Sequence, residues 1–171
     1  MTPDLIELDP KYEWYPCRGE IIKDIQEYIL KGPYLNVLDV GAGDGRVLDG
    51  LGVLRICRKY AIEIQPCFYP ILKDKGYKLL DTDFVGFAWF ASVLDAVWDV
   101  IVCNPPFTYA VEWIEKILMC KKFNRLIVLC PAVHRGHFVS DEWGMELYKT
   151  APVDNFVEYQ GIDLLIKEHN Q

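Results

Sequence analysis

Apolar and polar positions along the chain form short blocks of two kinds. Residues 18–31 place Ile21, Ile22, Ile25, Tyr28 and Ile29 at i, i+1, i+4, i+7 and i+8, the stripe of an amphipathic helix. Apolar runs of strand length follow at Asn36–Val40, Tyr60–Ile64, Tyr77–Leu80, Trp98–Cys103 and Arg125–Cys130. Runs without polar alternation suit parallel strands covered on both faces. Between them, 66–75 opens on Pro66 and stops before Gly76, 85–95 is almost wholly apolar, and 108–121 places Val111, Ile114, Ile117 and Leu118 on one face behind a capping Thr108. Two further β-like runs, Asn155–Tyr159 and Ile162–Lys167, flank Gln160-Gly161 and read as a hairpin. The pattern predicts a doubly wound α/β domain: seven strands, mostly parallel, an antiparallel C-terminal hairpin and helices on both faces. One long connection, Ala132–Pro152, stands out as a candidate substrate loop.

Composition narrows the setting. A chain of 171 residues is enough for a single domain, and its 23 aromatic residues (10 Tyr, 8 Phe, 5 Trp) exclude a disordered or low-complexity segment. The net charge of −7 means that any nucleic acid must be held by a local basic patch. His134, Arg135 and His137 in the long connection, with Lys121, Lys122 and Arg125 upstream, are the candidates, contacting phosphates. The six Cys form no C-x-x-C pair, and the His match no ligand pattern, so free thiols, no metal and a reducing, cytoplasmic setting are expected. No run reaches the ~18 apolar residues of a membrane span, and Met1-Thr2-Pro3-Asp4 is not a secretion signal.

The candidate chemistry sits at strand ends. Val37–Leu48 reads as strand, glycine-rich turn and helix start, with Gly41, Gly43 and Gly45 in the turn and Asp39 just before it. Ligands of open α/β sheets bind beside such a turn. The spacing is neither a dinucleotide fingerprint nor a P-loop, and Asp39 repels a diphosphate but suits a ligand carrying an ammonium group. Glu63, near the end of the second strand, is placed to hold ribose hydroxyls. Asp83 and Phe84 after the third strand could bind an adenine amino group and cover its ring. After the fourth, Asn104-Pro105-Pro106-Phe107 joins an amide, a stiff backbone and an aromatic ring, an arrangement suited to a planar group bearing NH₂.

Taken in this order, the motifs resemble class I S-adenosylmethionine-dependent methyltransferases, specifically the amino-methyltransferases with an Asn-Pro-Pro-aromatic motif. The flanks of Asn104–Phe107 resemble small phage-type DNA adenine-N6 methyltransferases. Glu13–Ile25 resembles the Tyr-Pro-Thr-Pro segment of that group, with Cys17 and Arg18 in place of Thr and Pro. The resemblance implies a Rossmann-like methyltransferase fold as a single domain over 1–171, with an N-terminal helix segment at 13–31, a substrate loop at 132–152 and no separate target-recognition domain. It implies S-adenosyl-L-methionine as cofactor, held by Tyr15, Pro16, Asp39, Gly41, Gly43, Glu63, Asp83 and Phe84. Asn104, Pro105, Pro106 and Phe107 become catalytic, with Phe107 stacking on the acceptor ring and His134 and Arg135 touching substrate. The acceptor it favours is adenine N6 in DNA. The same motif also occurs in methyltransferases acting on guanine N2 of rRNA, and its tyrosine form in those acting on protein glutamine. A non-catalytic cofactor-binding subunit is the reading from another class, and a protein partner or homo-oligomer remains open.

Overall fold

In the computed structural model the described residues are 8–9, 11–17, 19–31, 36–49, 51, 58–81, 97–151 and 162–168. A seven-stranded sheet organises them: β1 (Asn36–Val40), β2 (Arg58–Ile62), β3 (Tyr77–Asp81), β4 (Trp98–Cys103), β5 (Phe123–Pro131), β6 (Glu146–Ala151) and β7 (Ile162–Glu168). Their order across the sheet is β3-β2-β1-β4-β5-β7-β6. The first five run parallel, and β7 pairs antiparallel with both β5 and β6.

The apolar runs become central strands because both faces are covered. On one face Leu38, Val40, Ile101, Leu126 and Val128 meet Ile114 and Ile117 of α3 (Ala110–Cys120). On the other, Val37, Val100, Val102 and Ile127 meet Ile21, Ile25 and Ile29 of α1 (Gly19–Ile29) and Leu72 of α2 (Tyr69–Asp74). Each strand therefore divides its alternate residues between two cores. Chain order reverses direction between β1 and β4, opening a crevice at their carboxyl ends.

Three expectations change. The connection after β5 is not a loop: it folds into a turn of 3-10 helix (Ala132–His134), the short helix α4 (Arg135–Phe138) and then β6, so the sixth strand lies at Glu146–Ala151. The hairpin signal at 155–161 missed that strand because β6 lies at a sheet edge with residues 146–150 all exposed, Leu147 and Tyr148 among them, and so carries little hydrophobic contrast. Thr108 does not cap α3. A 3-10 turn, Phe107–Tyr109, comes first, and the Thr108 hydroxyl donates to Glu13. Finally, the glycine turn continues as turns through Asp49 rather than opening directly into a helix. The expected helix at 85–95, the run Asn155–Tyr159 and the residues Asp83 and Phe84 lie outside the described residues.

Candidate functional site

The carboxyl ends of β1, β2 and β4 converge on one cavity of about 460 Å³, within the ordinary range for a small-molecule site. Its floor is the glycine turn. Gly41 (φ +75°) and Gly43 (φ +54°) adopt left-handed backbone, and a Cβ on Gly41 would stand 3.3 Å from the Asn104 carbonyl oxygen. The Gly41 and Ala42 amides donate to the Ile62 carbonyl at 2.9 and 3.2 Å, fastening the turn to the end of β2.

Two carboxyl groups sit beneath this turn in different environments. Glu63 is buried, but accepts from the Gly43 amide at 2.6 Å and the Gln65 amide at 2.7 Å. Burial raises its pKa, and those amides counter the shift. Asp39 is 1 % exposed, and its Oδ2 has no hydrogen-bond partner. Burial, with the nearby charges of Glu63 and Asp44, pushes its pKa up to about 8. A pKa near 8 favours the protonated form of Asp39 at neutral pH. Asp44 is different: burial acts to raise its pKa, but the bidentate hydrogen bonds and charge of Arg46 (2.6–3.0 Å) hold it below the usual value.

A strap formed by residues 11–17 roofs the cavity. The Asp9 amide donates to Gln65 Oε1 at 3.1 Å on the β2 side, and Glu13 accepts from the Thr108 hydroxyl on the β4 side. Trp14 lies over Gly43, so close that a Cβ there would sit 2.8 Å from its Nε1. Its ring packs against Phe68 (centroids 5.2 Å apart), with the Arg46 guanidinium 5.5 Å from the indole centroid. Asn104 Nδ2 donates to the Tyr15 carbonyl at 2.8 Å. Because a carbonyl only accepts, this bond fixes which end of the amide is which and leaves Oδ1 as an acceptor.

Of the residues the sequence singles out, Tyr15, Pro16, Gly41, Gly43, Glu63, Asn104, Pro105 and Pro106 all border this cavity. Asp39 lies just beneath it. Phe107 is brought to the same place but buried, its ring stacked on Tyr15 with centroids 4.5 Å apart and planes 6° from parallel.

The proposed basic patch does not assemble. The Lys122 carbonyl accepts from the Trp98 amide, so Lys121 and Lys122 stand where β4 begins, a strand length from Asn104 at its other end. Arg125 pairs with Glu168 at 3.0 Å. Arg135 makes a two-pronged contact at 2.7 Å with Asp163, which is fully buried in β7, and also donates to Thr150. His137 pairs with Glu115, and neither His134 nor Arg135 borders the cavity. Among the described residues there is no His/Cys/Asp/Glu group able to hold a metal, and no helix long and apolar enough to cross a membrane. The five described cysteines are free thiols.

Sequence reasoning missed Trp14, Gln65, Tyr109 and Trp113 as cavity residues. Gln65 could have been suspected, since a polar residue wedged between Ile64 and Pro66 at a strand end lies where ligands bind. Trp113 gave no such signal, because at helical spacing it reads as core.

No protein-family model matches the chain, and no curated protein matches it in sequence. Solved structures do match in shape. The 23S rRNA methyltransferase ErmE superposes with TM-score 0.66 at 15% identity, over 92% of this chain and 70% of that one. A ribosomal protein L11 methylase from Lactobacillus delbrueckii subsp. bulgaricus gives 0.66 at 16% over 96% and 86%. A precorrin-6y C5,15-methyltransferase from Geobacter metallireducens gives 0.65 at 15% over 99% and 97%. They are methyltransferases of rRNA, of a ribosomal protein and of a precorrin, while the sheet is shared: the chain has the methyltransferase fold.

Proposed function

We propose that this protein transfers a methyl group from S-adenosyl-L-methionine to an exocyclic amino nitrogen, and that the acceptor is adenine N6 in DNA. The cavity fits the cofactor on its own evidence. Asp39 offers a buried, unpartnered oxygen suited to an ammonium group, the glycine turn lets a ligand approach the backbone, and Glu63 retains accepting capacity for a ribose hydroxyl beyond the bonds it takes from backbone amides. Bound there, the cofactor supplies a methyl carbon on a sulfonium, which departs as a neutral thioether.

The observation that carries the acceptor reading is the Asn104 amide, oriented by the Tyr15 carbonyl so that Oδ1 accepts. An amino group donating to Oδ1, and to a backbone carbonyl of the stiff Pro105-Pro106 segment, is drawn from planar toward tetrahedral nitrogen. Its lone pair is then available for in-line displacement. The nitrogen is charged only after transfer, so the proton leaves the product rather than the attacking group. A base within a duplex must be flipped out to reach this depth.

A second reading keeps this chemistry and changes the polymer to RNA. It draws support from the likeness in shape to a 23S rRNA methyltransferase.

The test is transfer of radiolabelled methyl to unmethylated DNA, total RNA and cell protein in parallel, followed by nucleoside digestion. N6-methyladenine in DNA is the expected product. Asn104→Ala should lower kcat on the order of a hundredfold while leaving S-adenosylhomocysteine affinity within a few-fold. Label confined to RNA or protein would overturn the DNA assignment. Cofactor binding without transfer to any acceptor, and indifference to Asn104→Ala, would favour a partner-dependent subunit.

A further inference from the structure

The Asn-Pro-Pro-Phe motif points to Phe107 as the ring that stacks on the acceptor. The structure assigns that task to a different residue: we propose that Tyr15 is the stacking platform for a planar acceptor base and that Phe107 is its backing ring. The inference rests on the amino-nitrogen reading above and adds which residue selects a planar acceptor.

Three observations carry it. Phe107 is 6 % exposed and does not border the cavity, whereas Tyr15 is half-buried and does. The two rings are stacked almost parallel at 4.5 Å, so Tyr15 occupies the position that a base stacked on Phe107 would need. The Tyr15 backbone is also tied to the site, because its carbonyl orients the Asn104 amide, while the Phe107 stack holds the ring. The strap is also held on both sides, by Gln65 through the Asp9 amide and by Thr108 through Glu13. A wall pinned at two ends and coupled to the catalytic amide stays in place during turnover. A base whose amino group reaches Asn104 Oδ1 then meets the Tyr15 ring. Stacking on an aromatic ring tolerates any planar base but not a flexible glutamine side chain, so the platform favours a nucleobase over a protein acceptor.

The experiment compares Tyr15→Leu, Tyr15→Phe and Phe107→Leu. It uses the methyl-transfer assay on whichever polymer the wild type labels, with S-adenosylhomocysteine titrated calorimetrically as a separate readout. Tyr15→Leu should raise the acceptor KM at least tenfold, in line with the loss of a base–aromatic stack, with kcat reduced far less. Tyr15→Phe should restore KM to within about twofold of wild type, since the face of the ring and not its hydroxyl does the stacking. Phe107→Leu keeps the buried volume and should raise KM only a few-fold. The reverse ranking, with Phe107→Leu the more damaging for KM, would overturn the assignment and leave the amino-methyltransferase reading standing. Equal loss of S-adenosylhomocysteine affinity and acceptor KM in Tyr15→Leu would also overturn it, by making Tyr15 a cofactor residue. No transfer by the wild type to DNA or RNA would remove both proposals.

Discussion

Asp39→Asn tests the electrostatics of the site before any acceptor is known. The carboxyl is fully buried beside Glu63, and its folded-state pKa of about 8 stands well above the ordinary 3.8. The folded protein therefore holds a proton that the unfolded chain releases once the pH passes about 4. Stability is full below that point and is lost as the pH rises toward 8. The slope is about 1.4 kcal/mol per pH unit, so the wild type forfeits on the order of 4 kcal/mol between pH 4 and pH 7 through this group alone. Asparagine has nearly the same shape and cannot ionise, so the variant lacks this slope. Urea midpoints measured from about pH 3.5 to pH 8.5 should agree for the two proteins at the acid end and diverge upward, with Asp39→Asn the more stable at pH 7.5. Burial also raises Glu63, which contributes with the same sign, but it is present in both proteins and cancels in the difference. A ligand bearing an ammonium group must displace the Asp39 proton. S-adenosylhomocysteine binding at pH 7 should therefore release about one proton in the wild type, read from calorimetry in buffers of different ionisation enthalpy. The variant should release none and bind more weakly. Parallel stability profiles for the two proteins would refute the burial argument.

The remaining predictions concern the turn, the lost patch and the polymer. Gly43→Ala forces a side chain into left-handed backbone 2.8 Å from Trp14, so it should cost about 1–3 kcal/mol in urea unfolding and weaken S-adenosylhomocysteine binding. Arg135→Leu leaves the Asp163 carboxylate buried without its guanidinium partner, so the thermal midpoint should fall, and adding Asp163→Asn should recover part of it. If Arg135 served phosphates instead, it would change the affinity for DNA at unchanged stability. With Arg125 and Arg135 paired to Glu168 and Asp163, and the lysine pair at the far end of β4, DNA affinity should fall only gently with salt. The double-logarithmic slope should be about −1 to −2 by fluorescence anisotropy, and one steeper than about −5 would reveal a phosphate grip that the described residues do not show.

The parallel half of the fold was legible because burial on both faces writes itself into sequence as unbroken apolar runs. Val37–Val40 and Val100–Cys103 had no other plausible place. β6 was not legible, since this edge strand has residues 146–150 all exposed, and its Glu146, Lys149 and Thr150 read as loop. The partner of Arg135 was not legible for a related reason: a basic residue in a polar stretch looks solvated until the strand that supplies its buried acid is located, and Asp163 lies 28 residues further on. The cavity floor was legible as local chemistry, because glycines at 41 and 43 with acids at 39 and 63 are strand-end features that adjacent residues define.

The roof was a different problem. Its residues come from a segment before the first helix, and their partners Gln65, Asn104 and Thr108 lie on two separate strand ends. No periodicity marks such a segment, since it packs as a strap and not as a helix or strand. Yet the strap settles how the Asn104 amide is oriented. Asn104 alone could present either end to the cavity. The Tyr15 carbonyl removes one choice, and Pro16, by restricting the residue before it to extended backbone, helps hold that carbonyl in place. The acceptor chemistry proposed for the Asn-Pro-Pro-Phe motif thus depends on a Tyr-Pro pair nearly ninety residues upstream, whose place follows only from where the strap crosses the end of β4.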